Sequence, residues 1–221
     1  MKDLDLTLDY MENARFNYIY AGALANIESP FTHTEVLCLT MVYHKFVLMN
    51  GPKAKYMSLG QVGTILMKMF LLSDIEINRR VVTFVSFNQE CADPKFSPDR
   101  HCTLPSFVKL FHIYFSNDLE ERMLFVFNVY DGDHLGYLNR EHVMRFIEKF
   151  FVGEDEDEQI EMRMDMLELI FMKFDLDKDL VITFEEYAEV IRQQPELLEF
   201  LGVVFPSKVQ LNTVALCVNL L

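Results

Sequence analysis

Apolar residues recur along most of the chain at intervals of three and four residues. Val36, Leu39, Val42 and Phe46 follow this spacing, which places them on one face of a helix. Similar stretches follow, separated by short segments rich in Asn, Gly, Pro and acidic residues. We therefore predict an all-α fold. Residues 1–28 show no clean period and are interpreted as an N-terminal arm.

A helix, an acidic loop and a second helix occur twice in the second half of the chain. The two loops begin at Asp131 and Asp175. This repetition indicates two copies of one supersecondary unit. The first half contains four predicted helices in two similar but less legible units. We predict two lobes, with a degenerate pair at 29–117, a legible pair at 118–194, and a C-terminal helix and tail at 195–221.

The loop from Asp175 to Glu186 has the composition of a calcium-binding EF-hand loop. Such a loop spans 12 residues and supplies oxygen ligands from positions 1, 3, 5, 7, 9 and 12, with glycine at position 6. Leu180 stands at position 6, where a left-handed backbone costs a residue other than glycine roughly 1–2 kcal/mol. We predict one calcium (Ca2+) site here, weakened by Leu180. Its ligands in loop order are Asp175, Asp177, Asp179, the carbonyl of Val181, Thr183 and Glu186.

The loop that begins at Asp131 keeps the outline of an EF-hand but lacks most of its ligands. Gly136 stands at the turn position, whereas Leu135 at position 5 offers no oxygen. A neutral imidazole at position 12, on His142, does not replace a bidentate carboxylate for a hard cation. We predict that this degenerate loop does not bind metal. Its ligand positions hold Asp131, Asp133, Tyr137, Asn139 and His142.

The flanking helices test both loop frames. A helix that enters an EF-hand loop is expected to be apolar one, four, five and eight residues before it, and the exiting helix is expected to mirror this pattern. Every such position around the two loops is apolar except Gln194. An ordinary acidic turn between helices does not explain this match, so we assign both loops to EF-hands.

The two loops of the first half carry little calcium chemistry. Asn50–Gln61 has no acidic residue and contains Lys53 and Lys55. Residues 88–104 include acidic residues, but two prolines and the spacing do not fit an EF-hand loop. We predict that neither loop holds calcium and that this pair survives as scaffolding, because an unpaired hand leaves an apolar face exposed.

Charge and composition narrow the class of partner. The net charge of −14 opposes binding to nucleic acids and anionic membranes and favours cations and basic protein surfaces. The acidic run at residues 154–158 is interpreted as a solvated loop. Because 51% of the residues are apolar, the chain is globular. No phosphate-binding loop or nucleophile motif is present, so we predict that the protein is not an enzyme.

The remaining sequence signals indicate a cytoplasmic protein with free thiols. The four cysteines lie far apart and form no pair of the Cys-x-x-Cys type. The chain begins without a signal peptide, and residue 2 is Lys2, which excludes N-myristoylation. No apolar run reaches the roughly 18 residues that a membrane span needs. We therefore expect no membrane anchor.

Several segments of this sequence resemble the calaxin family, axonemal EF-hand proteins related to neuronal calcium sensors and calcineurin B. The resemblance covers residues 31–206. The hands themselves are general to the superfamily, and their combination with the tail after Gln194 is more specific. The segments that carry it are Glu35–Leu39, Asp118–Met123, Tyr137–Glu141, Phe174–Asp179, Gln194–Gly202 and Phe205–Pro206.

The resemblance implies binding to outer-arm dynein or its docking complex in cilia or flagella, with calcium modulating motility. A divergent member of the family that is restricted to sperm fits these features. Two mechanisms remain open: a weak calcium sensor, and a calcium-independent structural adaptor with degenerate hands. In the sensor, Met162, Met166 and Met172 are candidates for lining a partner groove, although core packing also explains them. The segment 195–201 either covers that groove in one state or caps the fold permanently.

Overall fold

A computed structural model describes residues 10–27, 29–51, 53–87, 89, 91, 93–153 and 155–220. The first nine residues of the predicted arm, residue 28, and Glu154 of the acidic run lie outside the described residues. The described chain is mostly helical, as predicted, and its strands are two or three residues long.

Two compact units divide the chain, and each is described by itself. The first comprises residues 1–73, 85–115 and 206–221, and the second comprises residues 74–84 and 116–205. The division differs from the boundaries expected from sequence in two places. Residues 74–84 belong to the second unit, and the segment 195–221 is split after Phe205.

The first unit contains a helix that the apolar pattern did not reveal. Residues 10–26, predicted as part of an arm, form helix α1, and this correction has a physical reason. Phe16 and Tyr20 are buried one turn apart and contact the ring of His44. The pattern is blurred because Tyr18, 89% exposed, and other apolar residues lie on the solvent face. The helices and strands of this unit are α1 (Tyr10–Asn26), α2 (His33–Met49), β1 (Met57–Ser58), α3 (Leu59–Lys68), the end of α4 (Ile75–Phe87), β2 (His101–Cys102), α5 (Leu104–Phe115) and α10 (Lys208–Val218).

The second unit is built around the two legible EF-hands. Strands β3 and β4 pair antiparallel, with Leu138 opposite Ile182, and both side chains are fully buried. This contact joins position 8 of one loop to position 8 of the other. The remaining elements supply the helices that enter and leave the loops. They are the start of α4, α6 (Leu119–Tyr130), β3 (Tyr137–Asn139), α7 (Arg140–Ile147), α8 (Glu156–Phe174), β4 (Val181–Thr183), α9 (Phe184–Gln193) and a 3-10 helix (Pro195–Leu197).

The segment after α9 covers the apolar face of this EF-hand pair. Phe200 stacks on Phe174 with ring centroids 4.2 Å apart and also contacts Tyr187. The hydroxyl of Tyr187 donates to the carbonyl oxygen of Leu198 at 2.8 Å. Aromatic packing and hydrogen bonds therefore hold the segment 195–205 against the hands, in the position that the sequence suggested for a groove-covering element.

The three methionines proposed for a partner groove lie on α8. Met162 is 37% exposed and Met172 is 74% exposed on the surface of α8, while Met166 is half-buried. The core face of that helix consists of Leu167, Ile170, Phe171 and Phe174. Core packing does not describe Met172, because its position on the helix turns it away from the core, and its place in a partner groove stays a prediction.

Candidate metal centre

The loop after α8 is shaped by hydrogen bonds from its own backbone to its acidic side chains. The N–H groups of Asp179 and Leu180 donate to the two carboxylate oxygens of Asp175, at 3.2 and 3.1 Å. Asp177 accepts from the N–H of Asp179, and Asp179 accepts from the N–H of Val181. The first three acidic positions therefore organise the turn as well as offering oxygen atoms.

The turn itself has the backbone that the EF-hand frame requires. Leu180 has a φ of +73°, and Lys178 at position 4 has a φ of +64°. Leu180 is also 60% exposed, so packing of its side chain does little to offset the strain of a left-handed leucine.

Glu186 ties the end of the loop to its beginning. Its Oε1 accepts from the N–H of Leu176 at 2.8 Å, and its Oε2 accepts from the N–H and hydroxyl of Thr183. Thr183 and Glu186 form a capping box at the start of α9. Burial raises the pKa of Glu186, but these hydrogen bonds outweigh burial and hold the pKa below its ordinary value.

Three of the predicted ligands come together in space. Oxygen atoms of Asp175, Asp177 and Glu186 lie within 4.8 Å of one another, and no other group of potential metal ligands does so among the described residues. Asp179 is not part of this cluster, and the Thr183 hydroxyl is directed to Glu186. The donors are hard oxygens and the cluster contains no neutralising cation, so the residues present fit calcium.

The loop after α6 has the same backbone and different chemistry. Asp131 accepts from the N–H groups of Leu135 and Gly136, at 3.0 and 2.7 Å, which repeats the pattern at Asp175. Here Nε2 of His142 lies 3.1 Å from the Asp133 carboxylate, so positions 3 and 12 pair with each other. At the two remaining positions, Tyr137 is 36% exposed and Asn139 caps α7 by accepting from the His142 N–H.

Arg80 is a residue of this region that sequence reasoning missed. It is 8% exposed, and its Nη1 donates to the carbonyl oxygen of Tyr130, the last residue before the degenerate loop, at 2.6 Å. Its guanidinium also packs on Phe146 and pairs with Glu76. No sequence signal distinguishes Arg80 from the neighbouring Arg79, because only the tertiary contacts of α4 bury one of them.

Strand pairing also gives a frame for the first-unit loops. Met57 pairs with Cys102 as Leu138 pairs with Ile182, which makes 50–61 and 95–106 the two 12-residue loops. Residues 88–104 are therefore not the loop, and Lys95 takes position 1. The signal was present in sequence, because Thr103 and Ser106 have the capping spacing of Thr183 and Glu186.

Comparison with known proteins agrees with this geometry. The profile of an EF-hand domain pair matches residues 120–192. Calaxin of Xenopus laevis is 25% identical over 193 residues, which cover 85% of this chain and 87% of that protein. The chain carries an EF-hand pair and is similar to the calaxins. Calaxin of Danio rerio is 26% identical over 113 residues, and calaxin of Homo sapiens is 28% identical over 99 residues.

The last two alignments are shorter. They cover 49% and 43% of this chain, and they span 52% and 46% of those calaxins, about half their length. Together with the EF-hand pair, the relationship supports a calcium-binding regulatory protein. Among the described residues, no helix combines the length and the apolar character that crossing a membrane requires.

Proposed function

We propose that this protein is a non-enzymatic calcium-binding regulator with one metal site, at Asp175–Glu186, that acts by binding another protein. Its likeness to the calaxins supports outer-arm dynein or the docking complex as the partner, a location in the axoneme of a cilium or flagellum, and a role in modulating motility. The observation that carries the proposal is the cluster of Asp175, Asp177 and Glu186, whose oxygens lie within 4.8 Å.

The cluster stores electrostatic repulsion that a divalent cation relieves. Three carboxylates at this separation repel one another more strongly than charges in bulk water, because the surrounding protein lowers the effective dielectric constant. Calcium, when bound, supplies two positive charges that draw these groups together. Glu186 must then rearrange its hydrogen bonds with Leu176 and Thr183, which links ligation to the start of α9.

A chain of contacts leads from Glu186 to the covering segment. The next residue, Tyr187, is fully buried and holds the segment through its hydrogen bond to Leu198. Its ring also contacts Phe200 at 5.9 Å between centroids. A shift at the start of α9 therefore acts directly on residues 195–205. Release of that segment uncovers Phe174 and Tyr187 as a surface for a partner helix.

A second candidate function is a calcium-independent adaptor. The specific observation in its favour is that both oxygens of Glu186 already accept hydrogen bonds from the loop and the cap. A loop stabilised in this way keeps its shape by protein contacts alone. In this case the segment 195–205 is a permanent part of the fold, and partner binding is the same with and without calcium.

A calorimetric titration with calcium at physiological magnesium concentration separates the two functions. For the regulator we expect heat from one site, lost in Glu186→Gln and retained in the neighbouring, exposed Glu185→Gln. Amide hydrogen exchange supplies a second readout, because calcium is expected to speed exchange in residues 195–205 of the parent protein only. No heat in any of the three proteins contradicts the regulator and leaves the adaptor.

The partner is tested separately. The tagged protein is incubated with axonemal extract from sperm flagella, with calcium or with a chelator, and dynein heavy chains are quantified in the captured material. Calcium-dependent capture that Glu186→Gln abolishes supports the proposed partner. Capture that is equal in both conditions favours the adaptor, and absence of dynein and docking proteins from both samples contradicts the partner assignment.

A further inference from the structure

The two loops of the first unit face a cavity whose lining contains four lysine and arginine residues. The cavity has a volume of about 400 Å³ and is bounded by loop 50–61 and loop 95–106. More than half of the described residues that line it are basic, in a chain whose net charge is −14. We call it the basic cavity, and its basic residues are Lys53, Lys55, Lys95, Arg100 and His101.

One of these basic residues stands at a side-chain ligand position of its loop, and the others lie at or beside the turn. Lys95 is at position 1 of its loop, where the Asp175–Glu186 loop has its first aspartate. In the other loop, positions 1 and 12 are Asn50 and Gln61, which bind each other through a 2.9 Å hydrogen bond. The strand pairing of two hands is thus kept, while loop 50–61 has no acidic residue and loop 95–106 has Asp99 as its one carboxylate beside Lys95 and Arg100. Such loops repel calcium and attract anions.

Most of this positive charge is available to a ligand. Lys55 pairs with Asp93 at 2.8 Å. Lys53, Lys95 and Arg100 are exposed, and within the described part of the chain no carboxylate pairs with them. His101 accepts a hydrogen bond at Nδ1 from the N–H of Ser97, so its neutral ring carries the proton on Nε2 and can donate from that atom. 

An apolar cavity of about 670 Å³ adjoins the basic cavity and shares the wall formed by residues 53–56. Its lining includes Ile19 and the buried residues Tyr20, Tyr43 and Leu104. A volume of this size accommodates a large side chain, since ligand pockets in proteins span roughly 300–1,000 Å³. A cationic site and an apolar site therefore lie side by side in one unit.

We infer that the first unit binds an acidic segment of a partner protein, with carboxylates in the basic cavity and an apolar side chain in the adjoining cavity. An extended peptide fits two adjacent sites of different polarity better than a single small anion does. An anionic membrane surface is disfavoured by the net charge of −14. The inference concerns loops without calcium ligands and holds whether or not the Asp175–Glu186 loop binds calcium.

Fluorescence anisotropy tests this inference on the full-length protein. The probe is a labelled decapeptide of glutamates with one central phenylalanine, and a matched peptide has lysine in place of every glutamate. We expect saturable binding of the acidic peptide only, weakening as salt is raised because exposed charges are screened. Charge reversal in Lys95→Glu or Arg100→Glu is expected to weaken binding about tenfold or more, as loss of a close charge pair does.

Controls make a failure interpretable. Lys68→Glu makes the same charge change on an exposed residue of α3 and is expected to leave binding within about twofold. Lys95→Gln removes the charge and keeps a polar side chain. Circular dichroism of every variant checks that weaker binding does not come from unfolding. Equal binding of the lysine peptide, equal weakening by Lys68→Glu, or competition by inorganic phosphate as strong as that by the acidic peptide overturns the inference. Self-association that Lys95→Glu abolishes, without peptide binding, also overturns it in favour of a second copy as the occupant.

Discussion

Loops 131–142 and 175–186 have the same backbone conformation and differ in the side chains that meet across the loop. In both, the residue at position 1 accepts from the N–H groups at positions 5 and 6. Positions 4 and 6 are left-handed in both. Positions 3 and 12 hold an aspartate and a histidine in direct contact in the first loop, and two carboxylates in the second. The same EF-hand turn therefore forms with different side chains at its ligand positions.

Side chains of the protein itself hold the degenerate loop. His142 lies against Asp133, and Arg80 donates to the carbonyl of Tyr130 at the entrance of the loop. Among the described residues, the loop 175–186 has no such contact, and its acidic cluster accepts from backbone N–H groups and from Thr183. A loop held by such side-chain contacts keeps its shape through the protein alone.

The largest expected effect is a second calcium site in Leu135→Asp/His142→Glu. Leu135 is 47% exposed, so an aspartate there meets solvent, and the buried Nδ1 of His142 has no partner in the described structure, so its removal breaks no hydrogen bond at that atom. With ligands restored at positions 5 and 12, calorimetry is expected to show a second site with a dissociation constant of about 10⁻⁵ M or tighter. The same double variant carrying Asp131→Asn serves as the control. Unchanged stoichiometry in the double variant means that the backbone of this loop, rather than its side chains, excludes calcium.

Replacing Arg80 is expected to show how strongly the degenerate loop depends on that residue. Arg80→Met leaves the Tyr130 carbonyl without its buried donor and is expected to lower the free energy of unfolding by about 2 kcal/mol. Arg79→Met is the matched control, because the Arg79 side chain is 69% exposed and also pairs with Glu76. Its effect is expected to stay below about 0.5 kcal/mol in urea denaturation. Equal losses in the two variants contradict a special role for Arg80.

The variant Leu180→Gly tests whether the left-handed backbone at position 6 strains the loop 175–186. Glycine adopts a φ of +73° without the steric cost that leucine bears, and the side chain lost is 60% exposed. We expect the calcium-saturated protein to gain about 1 kcal/mol in its free energy of unfolding. Leu176, in the same loop, does not have a positive φ, so Leu176→Gly is expected to give no gain in the free energy of unfolding. A gain in both variants, or in neither, shows that strain at position 6 is not what distinguishes this loop from its neighbour.

The smallest expected change in stability is that of replacing Glu76, which pairs with the Arg80 guanidinium. Hydrogen bonds from Arg79 and Arg80 lower the pKa of Glu76 from 4.5 to about 2. A lowered pKa stabilises the fold above about pH 4.5, and this stabilisation is lost as the pH falls through about 2. Glu76→Gln is expected to cost less than about 1 kcal/mol near neutral pH, because the pair is partly screened by solvent. The cost should vanish near pH 2, and exposed Glu148→Gln should show no such pH dependence in parallel denaturation series.

Several features of the fold follow from the sequence alone. The frames of the two EF-hand loops and the mostly helical fold agree with the prediction. Other parts do not. Helix α1 was missed because the apolar residues on its exposed face obscured the buried pair Phe16 and Tyr20. The pairing of Asp133 with His142 was missed because composition shows which ligand is absent and not what replaces it.

The sequence by itself determined the type and order of the hands and the residues offered at each loop position, because EF-hand ligands lie within 12 consecutive residues. The tertiary structure decided which groups meet across longer separations. It brought Arg80 to Tyr130, laid Phe200 on Phe174, and set Lys95 beside the loop that begins at Asn50. Contacts between residues distant in sequence depend on how helices pack, and a periodicity shows that a residue is buried without showing its neighbour.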